Sequence, residues 1–223
     1  MWRDICWKET LNWEEEPVLA LDLSVPLPVE EDRGGVRMGR WCARLAAVWY
    51  RRWTGPLYRQ ACAALEEARA AARPFWPWKA GLTWTLAWED EKVCSLWLEG
   101  RERRGREEAL VLRSAMTWTR RDGFPLALSQ CLPAAENWKE AVLARVEAGL
   151  EAMRREGVSL RRDAGVRAAA RLDPRRFFLG PEGPILYYPM GALGPNSSGI
   201  LEFPLRGNTG SEPVCGQKNP EKV

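Results

Sequence analysis

The stretch from Phe177 to Leu205, FFLGPEGPILYYPMGALGPNSSGILEFPL, holds the densest mixture of apolar runs and turn residues in the chain. Phe177, Phe178 and Leu179 form a short β-favouring run. Gly180-Pro181-Glu182-Gly183 supplies turn chemistry, and Ile185 to Tyr188 returns as a second apolar run. A four-residue connection of this kind closes a hairpin. After Pro189, Met190 to Gly199 is too rich in Gly, Pro, Asn and Ser to hold a ladder, and Ile200 to Leu205 resumes an extended apolar pattern. The reading is strand, turn, strand, long loop, strand, the closing element of a core.

Working outward, the chain alternates between the two regular periods. Leu19, Leu21, Leu23 and Val25 alternate with Ala20, Asp22 and Ser24, which predicts a half-buried strand over Val18 to Val25 that ends at Pro26 and Pro28. Residues 1–17, with three Trp and the run Glu14-Glu15-Glu16, read as a lead-in. From Arg40 to Ala72 apolar residues recur every three or four positions, a helix that Gly55-Pro56 should kink or split. Pro74 to Pro77 terminates it. Leu82 to Trp88 and Val93 to Glu99 read as a hairpin with Leu82, Trp84, Leu86 and Trp88 on its core face, and Leu110 to Thr119 as a further strand. Trp138, Val142, Val146, Leu150 and Met153 form a helical stripe, with Asn137 or a neighbour as cap and Gly157 as stop. A short helix spans Asp163 to Arg171. The expected fold is α+β, antiparallel sheet packed against one long and one medium helix, in an N-terminal lobe (18–108) and a C-terminal lobe (109–205) followed by a disordered tail (206–223).

Composition narrows the chemistry. The 223 residues carry 33 Lys and Arg against 30 Asp and Glu, a balance that argues against dedicated nucleic-acid binding. The chain has no His, so imidazole general bases, Ser-His-Asp triads and His-containing zinc sites are excluded within it. Cys6, Cys42, Cys62, Cys94, Cys131 and Cys215 are widely spaced without a CxxC pair, which argues against a metal cluster and favours free buried thiols over disulfides. No cofactor is implied. The start of the sequence lacks the apolar run of a signal peptide, and no stretch reaches the ~18 apolar residues of a membrane span. The chain as written is expected in the cytoplasm, or outside it if it is a piece of a longer exported protein.

The most charged segment is Gly100 to Glu108, GRERRGREE, whose four arginines are interleaved with glutamates that nearly neutralise them. It reads as a solvated loop or strand extension. Arg101, Arg103, Arg104 and Arg106 are the candidate contacts for an acidic ligand. Asp22, Glu99, Asp122, Asp163, Asp173 and Glu202 are the carboxylates available for hydrolysis, which needs two acids about 5 to 9.5 Å apart, and sequence spacing singles out no pair.

The segment RFFLGPEGPILYYPMGALGPNSSGILEFPL, Arg176 to Leu205, resembles the closing pattern of the extracytoplasmic domain of RsiV-type anti-sigma factors. That pattern is an aromatic strand, an acidic-Gly turn, an aromatic strand, a Pro-containing loop, then Gly, Ile and a Glu-Phe pair. Ala61 to Trp78, Val93 to Leu98, and Thr117 to Leu128 with its Asp122-Gly123 turn support the resemblance, which covers Val18 to Leu205. It implies an α+β fold with helices on antiparallel sheet and a role in binding rather than chemistry; in RsiV-type proteins the domain is a receptor for lysozyme. This sequence departs from the family in lacking a membrane span and an anti-sigma helix. It also carries the charged Gly100 to Glu108 segment in place of a Gly-Ala-His-Gly type loop, and Pro195-Asn196-Ser197 where a Tyr follows the Pro. Lysozyme recognition is therefore carried over to no residue. The expectation is a non-enzymatic binding module of a Gram-positive bacterium with a protein or cell-wall ligand. A cytosolic scaffold and a carboxylate-dependent hydrolase are the alternatives.

Overall fold

The computed structural model describes residues 2–30, 32–132 and 137–205. Its elements confirm the α+β class. They are β1 (Trp2–Trp13), β2 (Glu16–Pro28), α1 (Arg33–Arg52), a π-helical turn (Trp53–Leu57), α2 (Tyr58–Ala70), β3 (Trp78–Glu89), β4 (Val93–Arg103), β5 (Leu110–Thr119), α3 (Trp138–Arg155), α4 (Ala164–Ala170), β6 (Phe177–Gly180), β7 (Gly183–Tyr188) and β8 (Leu201–Pro204). A five-stranded sheet runs in the order β1-β2-β3-β4-β5 and a three-stranded sheet in the order β6-β7-β8. The chain divides into two compact units, Met1–Thr85 with Leu98–Arg113 and Leu86–Trp97 with Ser114–Val223, so the division cuts across β3, β4 and β5 rather than falling at residue 108. The tail 206–223, with Cys215, lies outside the described residues.

In the first unit the expected lead-in is instead strand β1, antiparallel to β2 from Trp2↔Pro28 to Trp13↔Glu16. The two are joined through Glu14 and Glu15, both at positive φ (46° and 68°), a conformation usually held by Asn or Gly. Strand β2 runs through Pro26 and ends at Pro28, which it can do because its parallel ladder with β3 stops at Leu23↔Leu82. Beyond that point only β1 flanks β2, and proline is tolerated on an open edge. That parallel pair makes the larger sheet mixed, where an antiparallel one was expected. The cause is the long α1–α2 crossover between β2 and β3, since a connection of this length returns the chain in the same direction. Asp32 caps α1 by accepting from Gly35 N at 2.6 Å. The helix buries Met38, Cys42, Ala46 and Trp49. Pro56 does not break the rod; the π-helical turn absorbs it and α2 continues with Ala61, Leu65 and Ala68 buried. Trp49 stacks on Trp53 at 5.3 Å and lies against Gly100 of β4, where an added Cβ would meet its ring at 2.6 to 2.9 Å.

In the second unit the quoted stretch folds as read. Phe177↔Leu186 to Gly180↔Gly183 pair antiparallel, and Ile185↔Pro204 to Tyr188↔Leu201 add β8. Phe177, Leu179, Leu186, Tyr188 and Phe203 pack with Val142, Val146 and Leu150 of α3 and with Ala164 and Ala168 of α4, while Phe178 and Tyr187 pack with Ala115 on the other side. The small sheet is thus covered on both faces, which explains its unbroken apolar runs. Gly157, at φ 82°, ends α3 as expected, but Asn137 makes no side-chain capping bond. Beyond β5 the chain pairs back on it through a single bridge, Trp118↔Pro125. The hairpin tryptophans Trp84 and Trp88 are only half-buried and Leu86 is exposed.

Among the described cysteines Cys42, Cys94 and Cys131 are buried free thiols, whereas Cys6 is exposed and Cys62 half-buried, so burial holds for three of five. No helix of the described residues is long and apolar enough to cross a membrane.

Two outcomes follow. Gly100→Ala, which drives a methyl into the pinned Trp49 ring, lowers stability by about 1–3 kcal/mol in urea denaturation. Tyr188, whose hydroxyl donates to Ala168 O at 2.8 Å, has its phenol pushed up by burial from 10.0 to about 12. A folded-state pKa above the unfolded one contributes stability that is complete below pH 10 and is lost as pH rises toward about 12. Alkaline unfolding in that window, shifted in Tyr188→Phe, is the check.

Candidate functional site

Strand β4 does not end at Glu99. It continues to Arg103, and only 104–109 form the connection to β5. The reason is a pair of buried carboxylates on opposite faces of the extension. Glu99 accepts from Arg113 Nε at 3.0 Å and Nη2 at 2.8 Å, and from Arg101 at 3.1 Å. Glu102, only 4% exposed, accepts from Arg52 Nε at 2.5 Å and Nη2 at 2.8 Å and from the indole N–H of Trp53 at 2.9 Å. A carboxylate taken out of water needs this density of donors, and a bidentate guanidinium supplies it best. Glu102 is therefore turned inward and does not neutralise the arginines beside it.

The turn itself is closed by Glu107 N donating to Arg104 O at 2.9 Å, with Gly105 at φ 55°. Gly105 is the residue that can hold that conformation without strain. Arg104 and Arg106 flank it, and each lies over an indole: Arg104 over Trp78 at 5.1 Å and Arg106 over Trp76 at 4.0 Å. Arg-Gly-Arg thus matches Trp76-Pro77-Trp78. Arg104 also donates to Gln60 Oε1 at 3.1 Å, and its Nε is buried without a hydrogen-bond partner among the described residues. Arg106 and Trp76, the latter 40% exposed, face solvent. Arg101 is exposed and tied to Glu99, and Arg103 is exposed with no ion-pair partner among the described residues.

All four sequence-predicted arginines therefore gather on one turn and strand end. What the sequence reading missed is their aromatic support. Pro74 to Pro77 reads in the sequence as a helix terminator, although Trp76 and Trp78, bracketing Pro77, are also a rigid stacking platform. The candidate carboxylates are not gathered in the same way. Asp22 pairs with Lys8, Glu99 with Arg113, Asp163 with Arg167 and Asp173 with Arg175. Among the described residues no group of three or more Cys, Asp or Glu side chains is arranged to hold a metal ion.

A scan against protein-family models finds no match to the sequence, and a search of curated proteins finds none either. Solved structures do match. A member of the DUF3298 family from Bacteroides fragilis superposes with a TM-score of 0.64 at 11% identity, covering 91% of this chain and 88% of that one. A DUF3298 family protein from Pseudomonas aeruginosa gives 0.59 at 16% identity, covering 92% and 89%. The chain shares the fold of these bacterial proteins of unknown function. The likeness spans nearly the whole of each chain, while the low identity assigns no residue a role.

Removing either half of the Glu102 cluster has unequal effects. Arg52 is 47% exposed and can be rehydrated, so Glu102→Ala costs less than Arg52→Ala, which leaves a buried carboxylate with one indole donor. We expect about 3 kcal/mol for Arg52→Ala in chemical denaturation and a smaller loss for Glu102→Ala.

Proposed function

We propose that this chain is a non-enzymatic binding module that recognises an acidic ligand, either a protein surface or a cell-wall polymer, through the turn at Arg101 to Arg106. One observation carries this reading: Arg106 is held over a half-exposed Trp76, while Arg103 nearby has no ion-pair partner among the described residues. Arg and Trp are the residues that most often anchor protein interfaces. A guanidinium stacked on a ring has already lost much of its rotamer freedom, so less entropy is forfeited on binding. Four of the six candidate carboxylates, Asp22, Glu99, Asp163 and Asp173, are engaged with Arg or Lys, which favours binding over catalysis as the role of these charged residues. The resemblance to RsiV-type domains points the same way, and makes lysozyme a ligand to include in the test.

The full chain, immobilised, is probed with lysozyme, purified peptidoglycan and poly-glutamate at two salt concentrations. The expected result is saturable binding of an acidic ligand that weakens as salt rises and falls by about tenfold or more in Arg103→Ala/Arg106→Ala. Trp76→Ala weakens binding as well, with a stability cost of only about 0.5–1 kcal/mol. Binding that is unaffected by these variants places the ligand elsewhere and removes the turn as its site. No binding to peptidoglycan or poly-glutamate sinks the acidic-ligand reading; lysozyme is itself a basic protein, so its binding alone would point to a surface other than the arginine turn.

A further inference from the structure

The second unit carries a separate concave site. A cleft of about 580 Å³ is bounded on one side by Arg171, Asp173, Arg175 and Arg176 and on the other by the turn from Pro189 to Ala192. A volume of this size is in the range of small-molecule sites. Three guanidiniums against one carboxylate make it a strongly cationic recess, since its remaining lining residues are uncharged.

Its geometry is organised by Asp173. One carboxylate oxygen accepts from Arg175 N at 3.1 Å and from Arg175 Nε at 3.0 Å; the other accepts from Arg175 Nη2 at 3.1 Å and lies 3.6 Å from Arg176 Nε. Arg176 N donates to Asp173 O, and Arg176 O accepts from Tyr187 N, which ties this turn to β7. The hydrogen bonds from Arg175 hold the Asp173 carboxyl below its usual range, so it stays ionised. The planar, two-oxygen acceptor position on Arg175 is therefore already filled from within the protein. The donors left over are the outer N–H groups of Arg175, those of Arg176, and the whole guanidinium of Arg171, which has no side-chain partner among the described residues. These belong to three separate side chains around a recess. A tetrahedral group with three accepting oxygens answers donors from three directions better than a second flat carboxylate does. A phosphate ester carries close to two negative charges at neutral pH, matching the excess of guanidinium over carboxylate.

We propose that this cleft binds a small soluble phosphorylated compound, with Arg171, Arg175 and Arg176 contacting its phosphate and Asp173 positioning Arg175. The site is independent of the Arg-Trp turn: it could be occupied whether or not that turn binds a ligand.

The test is calorimetric titration of the full chain with inorganic pyrophosphate and phosphate, with succinate as the dicarboxylate control, all at one ionic strength. Saturable single-site binding of pyrophosphate is expected, tighter than that of succinate. Arg171→Gln and Arg176→Gln each weaken it by about tenfold, the scale of one lost charge-assisted hydrogen bond. Trp76→Ala and Arg106→Ala leave it unchanged, which separates this site from the one proposed above. Arg171 is exposed, so its replacement keeps the fold, and far-UV circular dichroism verifies this for Arg176→Gln. The proposal is overturned if no saturation is reached by about 1 mM pyrophosphate, if succinate binds as tightly, or if neither arginine replacement alters the affinity.

Discussion

Glu102 is the group on which the first unit depends. Its carboxylate sits away from water with three N–H donors from two consecutive residues, Arg52 and Trp53, at the point where α1 passes into the π-helical turn. A widened turn of this kind shifts the register of the residues that follow, and here it coincides with the place where Pro56 removes a backbone donor. The same two consecutive residues that answer Glu102 thus lead into the segment that tolerates the proline. Because a lone buried carboxylate is so costly, β4 has one favourable way of lying along the end of α1. Gly100, two residues earlier on that face, lets the strand approach Trp49 closely. The far end of β4 is thereby fixed, and the turn that follows inherits its position over Trp76 and Trp78.

Inside the second unit, a set of buried neutral hydrogen bonds tethers the small sheet. Ser95 and Thr117 share a 2.8 Å bond on the buried side of β4 and β5, and Ser95 Oγ also accepts from Leu179 N at 2.8 Å. Ala115 N donates to the hydroxyl of Tyr187, and the hydroxyl of Tyr188 donates to Ala168 O. The adjacent tyrosines point to opposite faces of β7, so each face of the small sheet gains one polar tether inside an apolar layer. Such bonds contribute modestly in net terms, but leaving any of these groups buried and unpaired is expensive, which favours one register over its neighbours.

Those differences explain what was legible in the sequence. Phe177 to Tyr188 could be read because its apolar runs and its Gly-Pro turn agree, and the stripe from Trp138 to Met153 because one face carries the whole signal. Strand β1 could not, for two reasons. It mixes Arg3, Asp4, Lys8 and Glu9 with tryptophans as edge strands do, and its turn uses Glu14 and Glu15 at positive φ where sequence rules look for Asn or Gly. The parallel β2–β3 pair was hidden because alternation reports a strand's faces and never its direction. At the candidate site the arginines were visible as charge, but their setting was not. The partner that turns Glu102 inward is 50 residues away, and the rings under Arg104 and Arg106 lie in a segment whose prolines drew attention only as helix breakers.

Arginine is used in this chain for three distinct tasks, and its geometry suits each in a way lysine's would not. At Glu102 and Glu99 the fork of N–H groups meets a carboxylate bidentately or from two donors at once, which is how a charge is kept in a dry place. At Trp76 and Trp78 the planar face of the guanidinium lies over an indole, so a cation stays at the surface without being free to wander. At Asp173 a carboxylate holds Arg175 through two hydrogen bonds from its guanidinium, with Arg176 Nε 3.6 Å away. The near balance of acidic and basic residues across the chain therefore conceals a local imbalance. Buried Glu102 consumes a guanidinium from another element, and Arg103, adjacent to it in sequence, is left at the surface without an ion-pair partner among the described residues. In Glu102 to Arg106 that separation of sequence neighbours into inside and outside is what turns an apparently self-neutralising loop into a cationic one.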